Sequence, residues 1–238
     1  MDDQRTEEGS PAEPAANPPF QIKDCALIAV ATGRRAQNLR ELRDILQSIL
    51  SNSIYYHFWG SRLQPRFDNP EYQNDFATWT NQALHDGKMA ERLGVIDPTD
   101  FGSLEELRQE LIDVIEERLD EEEHVTWAKT DMQFNFLTSQ IVVFDTHRVI
   151  HEPAELRTAV PMMSGGSIFY HVIDARRRTM GSVDDIRSWL AGFATEEEDP
   201  YADLREQLAG VDPFFSPLPE VRDELTRLLQ GYFGAPEA

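Results

Sequence analysis

Two histidines sit in near-identical settings far apart in the chain. His57 belongs to SIYYHF (Ser53–Phe58) and His171 to SIFYHV (Ser167–Val172). Each follows a tyrosine, Tyr56 or Tyr170. Each precedes an aspartate that opens a D-x-x-x-W pattern, Asp75 before Trp79 and Asp185 before Trp189. An imidazole titrates near neutral pH and ligates metals, so the pair could face one another across a twofold axis around a metal or an anionic ligand. Two histidines fall short of the three or four protein ligands of a zinc site, however. The alternative is structural: His57 bonds Asp75, His171 bonds Asp185, and each bond pins two helices together. Repetition favours this second reading, because both copies need the same packing whereas a site seldom needs both. Tyr55, Tyr56, Phe58 and Trp59 could stack a sugar ring, but at this spacing on an amphipathic helix they read as core and its margin. The candidate binding residues are therefore Tyr56, His57, Trp59, Asp75, Tyr170, His171 and Asp185.

Other chemistry is thinly represented. Arg176–Arg177–Arg178 could receive a phosphate or an acidic partner, or form a solvated helix end where cations offset the dipole. SGGS (164–167) lacks the lysine of a phosphate loop and reads as a turn and cap. The chain has no G-x-S-x-G, no H-E-x-x-H and no nucleotide-binding glycine pattern. Cys25 is the only cysteine, which excludes an intramolecular disulfide and a cysteine-based zinc site. It lies in the apolar run CALIAVA and reads as a buried, inert thiol. No catalytic set, no metal site and no cofactor are expected.

The elements that must position these residues are themselves repeated. A shift of 114 residues places Phe20 on Phe134, Thr32 on Thr146, Arg34 on Arg148, Glu41–Leu42–Arg43 on Glu155–Leu156–Arg157, and Tyr56–His57 on Tyr170–His171. Farther on the spacing shortens, so that Trp79 answers Trp189, and VIDP (95–98) answers GVDP (210–213). An ordered series with a period near 100 residues signals two copies of a small domain; solenoid periods are roughly 20–50 residues. In each copy the β-rich runs CALIAVA (25–31) and QIVVFD (140–145) meet turn residues and predict a small hairpin, although the first could begin a helix. Leu39, Leu42, Leu46 and Ile49 recur at helical spacing. Ser53 and Ser167 are predicted N-caps of the aromatic helices, and Asp75 and Asp185 of the next ones. Ser103 with Glu106 predicts a capping box for a helix to about Leu119. The matching helix is predicted from Pro217 or Pro219 to Gln230, stopped by Gly231.

The expected architecture is α+β and mostly helical: two tandem related units, each a small β-hairpin plus about four helices, packed face to face. The expected boundaries are an acidic, Pro-rich disordered tail at 1–19, unit 1 at 20–122, a connector at 123–133 carrying a docked Trp127, and unit 2 at 134–238.

Bulk properties narrow the partners. The formal charge of −21 opposes phosphate backbones and anionic headgroups, so neither nucleic acid nor membrane is expected. Lys23, Lys88 and Lys129 are the only lysines, a bias that a salt-rich cytoplasm or a GC-rich genome would each produce. No apolar run reaches a membrane span, and the acidic start MDDQRTEEGSPAEP is unlike a signal peptide, which predicts a cytoplasmic protein.

The order SIYYHF, NDFATW (74–79), MAERLGVID (89–97) and SLEELRQEL (103–111) resembles an uncharacterised prokaryotic domain-of-unknown-function family. Its members carry a hairpin, an ELR-type helix, a Ser-Ile-x-Tyr-His helix and an Asn-Asp-Phe-x-x-Trp helix. The likeness covers about 20–233. The second copy departs where Asn74–Asp75–Phe76 becomes Asp184–Asp185–Ile186, which weakens any site that used the Asn74 amide. The resemblance implies an association with glycosyltransferases and trehalose-type sugar metabolism, and it supplies no catalytic residues. The first expectation for function is a non-catalytic interaction or regulatory module with a protein partner. The alternative is a sugar or sugar-phosphate binding accessory protein, with an unrecognised enzyme third.

Overall fold

The computed structural model describes residues 17–63, 71–121, 130–179 and 181–234. Two long strands, β1 (Phe20–Ala36) and β2 (Phe134–Ile150), pair antiparallel from Phe20↔Ile150 to Ala36↔Phe134. Between them lie α1 (Leu39–Leu46), α2 (Ser51–Trp59) with a 3₁₀ turn at Gly60–Leu63, α3 (Asp75–Ala83), α4 (Gly87–Gly94) and α5 (Leu104–Glu121). After β2 come α6 (Leu156–Ala159) flanked by 3₁₀ turns, α7 (Gly165–Ile168), a π-helical stretch (Phe169–Asp174), α8 (Ala175–Arg178), α9 (Asp185–Ala191), α10 (Ala202–Ala209) and α11 (Leu218–Phe233). The chain is thus α+β and mostly helical.

The hairpin expected within each half does not form. Each run continues as one 17-residue strand whose partner is the strand of the other half. What reads as a turn is a bulge. Gly33 (φ 76°) and His147 (φ 58°) take left-handed backbone conformations where the register shifts. Thr32 Oγ1 donates to Phe136 O at 2.7 Å, and Thr146 Oγ1 to Ile22 O at 2.5 Å, so both bulges are tied to the facing strand.

Caps also differ from expectation by a residue or more. Asn74 accepts from Ala77 N–H and Asp184 from Arg187 N–H, so these cap α3 and α9 while Asp75 and Asp185 occupy the first helical positions. Ser164, not Ser167, caps α7, and Ser53 lies inside α2. Helix α11 runs through Gly231 and ends before Gly234 (φ 80°). The capping box of α5 forms, with Ser103 Oγ accepting from Glu106 N–H and the Glu106 carboxylate from Gly102 N–H. The tail and connector expectations fall mostly on residues 1–16 and 122–129, outside the described residues, and Trp127 with them. Asn17 and Pro18 are described, and both bond Trp189.

One continuous core joins all of this. α1 packs on β1 and α5, and α11 on α6, α7 and α10. The ribbon's docking is crossed: β1 lies on α7 and the π stretch, and β2 on α2. Gly166 permits the close approach, since a Cβ there would overlap Asp24 and the Cys25 carbonyl.

Candidate functional site

The crossed docking assembles two clusters with closely matching geometry. In the first, Phe134 of β2 enters a box of His57, Phe76 and Trp79, with ring centroids at 4.6, 5.1 and 5.5 Å. His57 Nδ1 bonds Asp75 Oδ2 at 2.9 Å, and His57 Nε2 accepts from Leu137 N–H at 3.0 Å. Trp79 Nε1 donates to Met132 O. In the second, Phe20 of β1 packs on His171 and Trp189 at 4.8 and 5.5 Å. His171 Nδ1 bonds Asp185 Oδ2 at 2.8 Å, and His171 Nε2 accepts from Lys23 N–H at 2.8 Å. Trp189 Nε1 donates to Pro18 O. Both expected histidine–aspartate contacts are present, and the two histidines bond the ribbon at separate places, His171 at Lys23 and His57 at Leu137, which faces Ala31. Among the described residues no group of three or more His, Cys, Asp and Glu could hold a metal ion.

The partners fix the tautomer. A backbone N–H pointing at Nε2 requires a lone pair there, so the proton sits on Nδ1, facing the carboxylate. Both nitrogens are committed, and neither imidazole can take up a substrate proton without giving up a strand bond. Tyr56 and Tyr170 stand edge-on to their histidines. Tyr55, Phe58 and Trp59 are buried, and Trp59 meets Phe214 at 5.0 Å, so these aromatics are core. Asp75 remains partly exposed and, with His57, Thr78, Gln82, Gln133 and Asn135, lines a cleft of about 270 Å³. A second cleft of about 350 Å³ runs beside β1 between Tyr56, Gly60 and Ser164.

Sequence reasoning missed Asp174. It is 1% exposed at the end of the π stretch, where Ala175 N–H reaches back to Tyr170 O. Its carboxylate accepts from Arg177 Nε (2.5 Å), Arg178 Nε (2.9 Å) and the Tyr55 hydroxyl (3.2 Å). Arg177 and Arg178 are exposed in the last turn of α8, as a solvated helix end would have them, and each also bonds a buried carboxylate. Arg178 also bonds Asp185 Oδ2 at 3.1 Å and lies 4.0 Å over the Tyr170 ring. An acid three and four residues before two arginines is a helix ion-pair pattern that could have signalled this cluster. Burial, with Asp174 beside it, holds the Tyr55 hydroxyl well above its usual range. Burial, then Asp174 and Asp24, pushes the Cys25 thiol up to about 12, and its sulfur donates to Gly166 O.

The fold and its clusters define a helical protein laced together by one exchanged two-stranded ribbon. The chain belongs to a family of unknown function, DUF5752, whose pattern matches residues 17–230. It is similar in structure to OrfY from Thermoproteus tenax, with a TM-score of 0.75 and 25% sequence identity, covering 91% of this chain and 96% of that one. No curated protein matches the sequence. No helix among the described residues is long and apolar enough to cross a membrane.

Proposed function

We propose that this chain is a non-catalytic interaction module of two tandem related units, at 20–122 and 134–238, that binds a protein partner. Support for the duplication lies in the corresponding partners of His57 and His171, of Trp79 and Trp189, and of Thr32 and Thr146. The observation that carries the interaction role is the centre of the ribbon. Ile28 and Phe144 are each 51% exposed and Val30 45%, whereas His57, His171, Trp79, Trp189 and Asp174 are all occupied internally. Exposed contiguous apolar surface of this kind marks interaction sites more often than chance. The acidic surface argues against nucleic acid as the partner, and a cytoplasmic location belongs to the same reading.

The test is affinity capture at low and high salt with the wild type and with Ile28→Asp/Phe144→Asp, both checked for folding by melting. A specific protein captured by the first and lost by the second supports the reading. No captured protein, together with sugars or sugar phosphates raising the wild-type melting temperature, overturns it in favour of a ligand-binding accessory protein acting at the polar cleft beside Asp75.

A further inference from the structure

We infer that the cleft beside Asp75 takes a ligand carrying a guanidinium group, with its aliphatic stem against the Trp79 side of the wall. The site does not use Ile28, Val30 or Phe144, and it goes beyond the interaction-module reading. Asp75 is the only charged side chain among the described residues that line it. His57 gives Asp75 Oδ2 a proton from a neutral ring, so the carboxylate keeps its charge uncompensated. Asp75 is also 39% exposed. Thr78, Gln82, Gln133 and Asn135 surround it with hydroxyl and amide groups.

The second copy shows what this carboxylate accepts. Asp185 holds the matching place, with His171 on Oδ2 at 2.8 Å. Arg178 Nη2 donates to the same oxygen at 3.1 Å and to Tyr170 O at 2.9 Å, and Asp185 is only 19% exposed. The shift of 114 residues that aligns the histidines puts Gln64 on Arg178, and Gly60 on Asp174, the buried acid that bonds Arg178 Nε. The guanidinium and its anchor are both missing from the first copy's sequence, while the histidine–aspartate receptor is kept. The second copy is also closed where the first is open. Asn17 Nδ2 donates to Trp189 O, and its amide lies so near Gly192 that a Cβ there would overlap it. Gly192 answers Gln82, and Asn17 answers Asp131; both Gln82 and Asp131 are exposed. Trp79 therefore borders a cleft of about 270 Å³ instead of a packed amide.

This arrangement selects among ligands. A guanidinium is planar, weakly hydrated and carries several N–H donors, whereas an ammonium is a compact, strongly hydrated point charge. One edge of a guanidinium pairs with the carboxylate, and the side-chain oxygens of Thr78, Gln82 and Asn135 are acceptors for the rest. A metal ion lacks a ligand set among the described residues. A phosphate or carboxylate ligand would meet Asp75 as a like charge. Arg35 stands at the rim and donates to Gln133 Oε1 at 3.3 Å, but it is exposed and screened by solvent. The net charge of −21 draws cations toward the whole molecule.

The experiment is an NMR titration of the isotope-labelled full chain with butylguanidinium, its neutral isostere butylurea, and glucose. Butylguanidinium should shift the Trp79 indole and Leu137 amide signals and bind at least about tenfold tighter than butylurea, the gap narrowing as salt rises. Asp75→Asn should remove that preference. Thr78→Arg, one turn after Asp75 on α3, supplies a guanidinium from the chain itself and should abolish binding while the melting temperature holds. Asp185→Asn breaks the matching histidine–aspartate bond away from the cleft and should leave binding unchanged. Agmatine and a blocked Gly-Arg-Gly peptide then distinguish the sources: tighter agmatine assigns a free amine, and a tighter peptide assigns a partner's arginine. No binding of butylguanidinium overturns the inference, as do equal binding of butylurea, binding of glucose alone, or full binding by folded Asp75→Asn. Binding seen only in Arg66→Ala also overturns it, since Arg66, outside the described residues, would then be the occupant. None of these outcomes alters capture by Ile28→Asp/Phe144→Asp, so the two readings fail separately.

Discussion

Replacing His57 by alanine tests the central geometric assignment, that the histidines are strand anchors. Three losses can be read from the structure. The Leu137 N–H loses its acceptor at 3.0 Å, and a buried donor left unpaired costs about 1–3 kcal/mol, here in the lower half because Leu137 is only half-buried. The ring's contacts with Phe134 and Phe76, at 4.6 and 5.3 Å, disappear, and aromatic pairs are worth about 0.5–1.5 kcal/mol each. The Asp75 carboxylate loses a partner but is 39% exposed and rehydrates. The total is about 3 kcal/mol. In a chain of this size that corresponds to a melting temperature lower by roughly 6–12 °C.

His171→Ala should cost less, about 2 kcal/mol on the same reasoning. Lys23 N–H loses its acceptor and Phe20 loses one ring contact, yet Asp185 keeps Arg178 at 3.1 Å. His151→Ala, at an exposed position, is the control and should stay within about 0.5 kcal/mol. Urea melts give the free energies, and hydrogen exchange at Leu137 and Lys23 reports the anchored amides directly. If His57→Ala melts like His151→Ala and the Leu137 amide keeps its protection, the anchoring account is wrong.

Three further outcomes are expected. Phe134→Ala should destabilise by about 4 kcal/mol in denaturant titration, and more than Phe20→Ala, because Phe134 touches four aromatic rings and Phe20 two. Asn74→Ala removes both the α3 cap and the buried bond to Leu93 O, and should cost about 2–3 kcal/mol by the same assay. The raised thiol of Cys25 should resist iodoacetamide at pH 8 in the native state and react when unfolded. Its folded value near 12 lies above the ordinary 9.0, so its contribution to stability is complete below pH 9 and is lost as pH rises toward 12. Alkaline melts of wild type and Cys25→Ala should therefore converge with rising pH after correction for the volume change.

Much of the helical architecture is legible in the residues. Leu39, Leu42 and Leu46 are buried along α1, as are Leu107, Leu111 and Ile115 along α5, because a 3.6-residue period follows from the helix itself. The histidine–aspartate pairs are legible for a related reason: a motif that recurs together with its aspartate calls for the same contact at both places. The strand partner was not. Thr32–Gly33 and Thr146–His147 carry turn chemistry, and a left-handed residue serves a bulge as well as a turn. Local sequence cannot distinguish a strand that folds back from one that bulges and continues toward a partner more than a hundred residues away. The Asp174 cluster escaped for another reason. In SIFYHVID the aspartate reads as the polar face of an α-helix, and the π-helical turn changes which residues face inward.

Crossed docking also explains why the ribbon's middle is left open. Phe20 and Ile22 at one end of β1 are spent on the helices that follow β2, and Phe134 and Phe136 at the corresponding end of β2 on the helices that follow β1. Neither set of helices fills its aromatic box with a phenylalanine of its own, so the two sets should gain their cores in one cooperative step, at the cost of closing contacts separated by 148 residues, as between Lys23 and His171. The central residues must span the distance between the two anchored ends. Leu27 and Ile141, opposed at the middle, pack against the core from one face, which leaves the other face of the same pairs without a covering element among the described residues. Exposure of Ile28, Val30 and Phe144 is therefore a geometric consequence of tying the molecule together by its strand ends. The absence of charge from residues 25–31 and 138–144 has no such geometric cause, because an exposed face accepts lysine or glutamate at little cost, and it is what the proposed interaction surface would need.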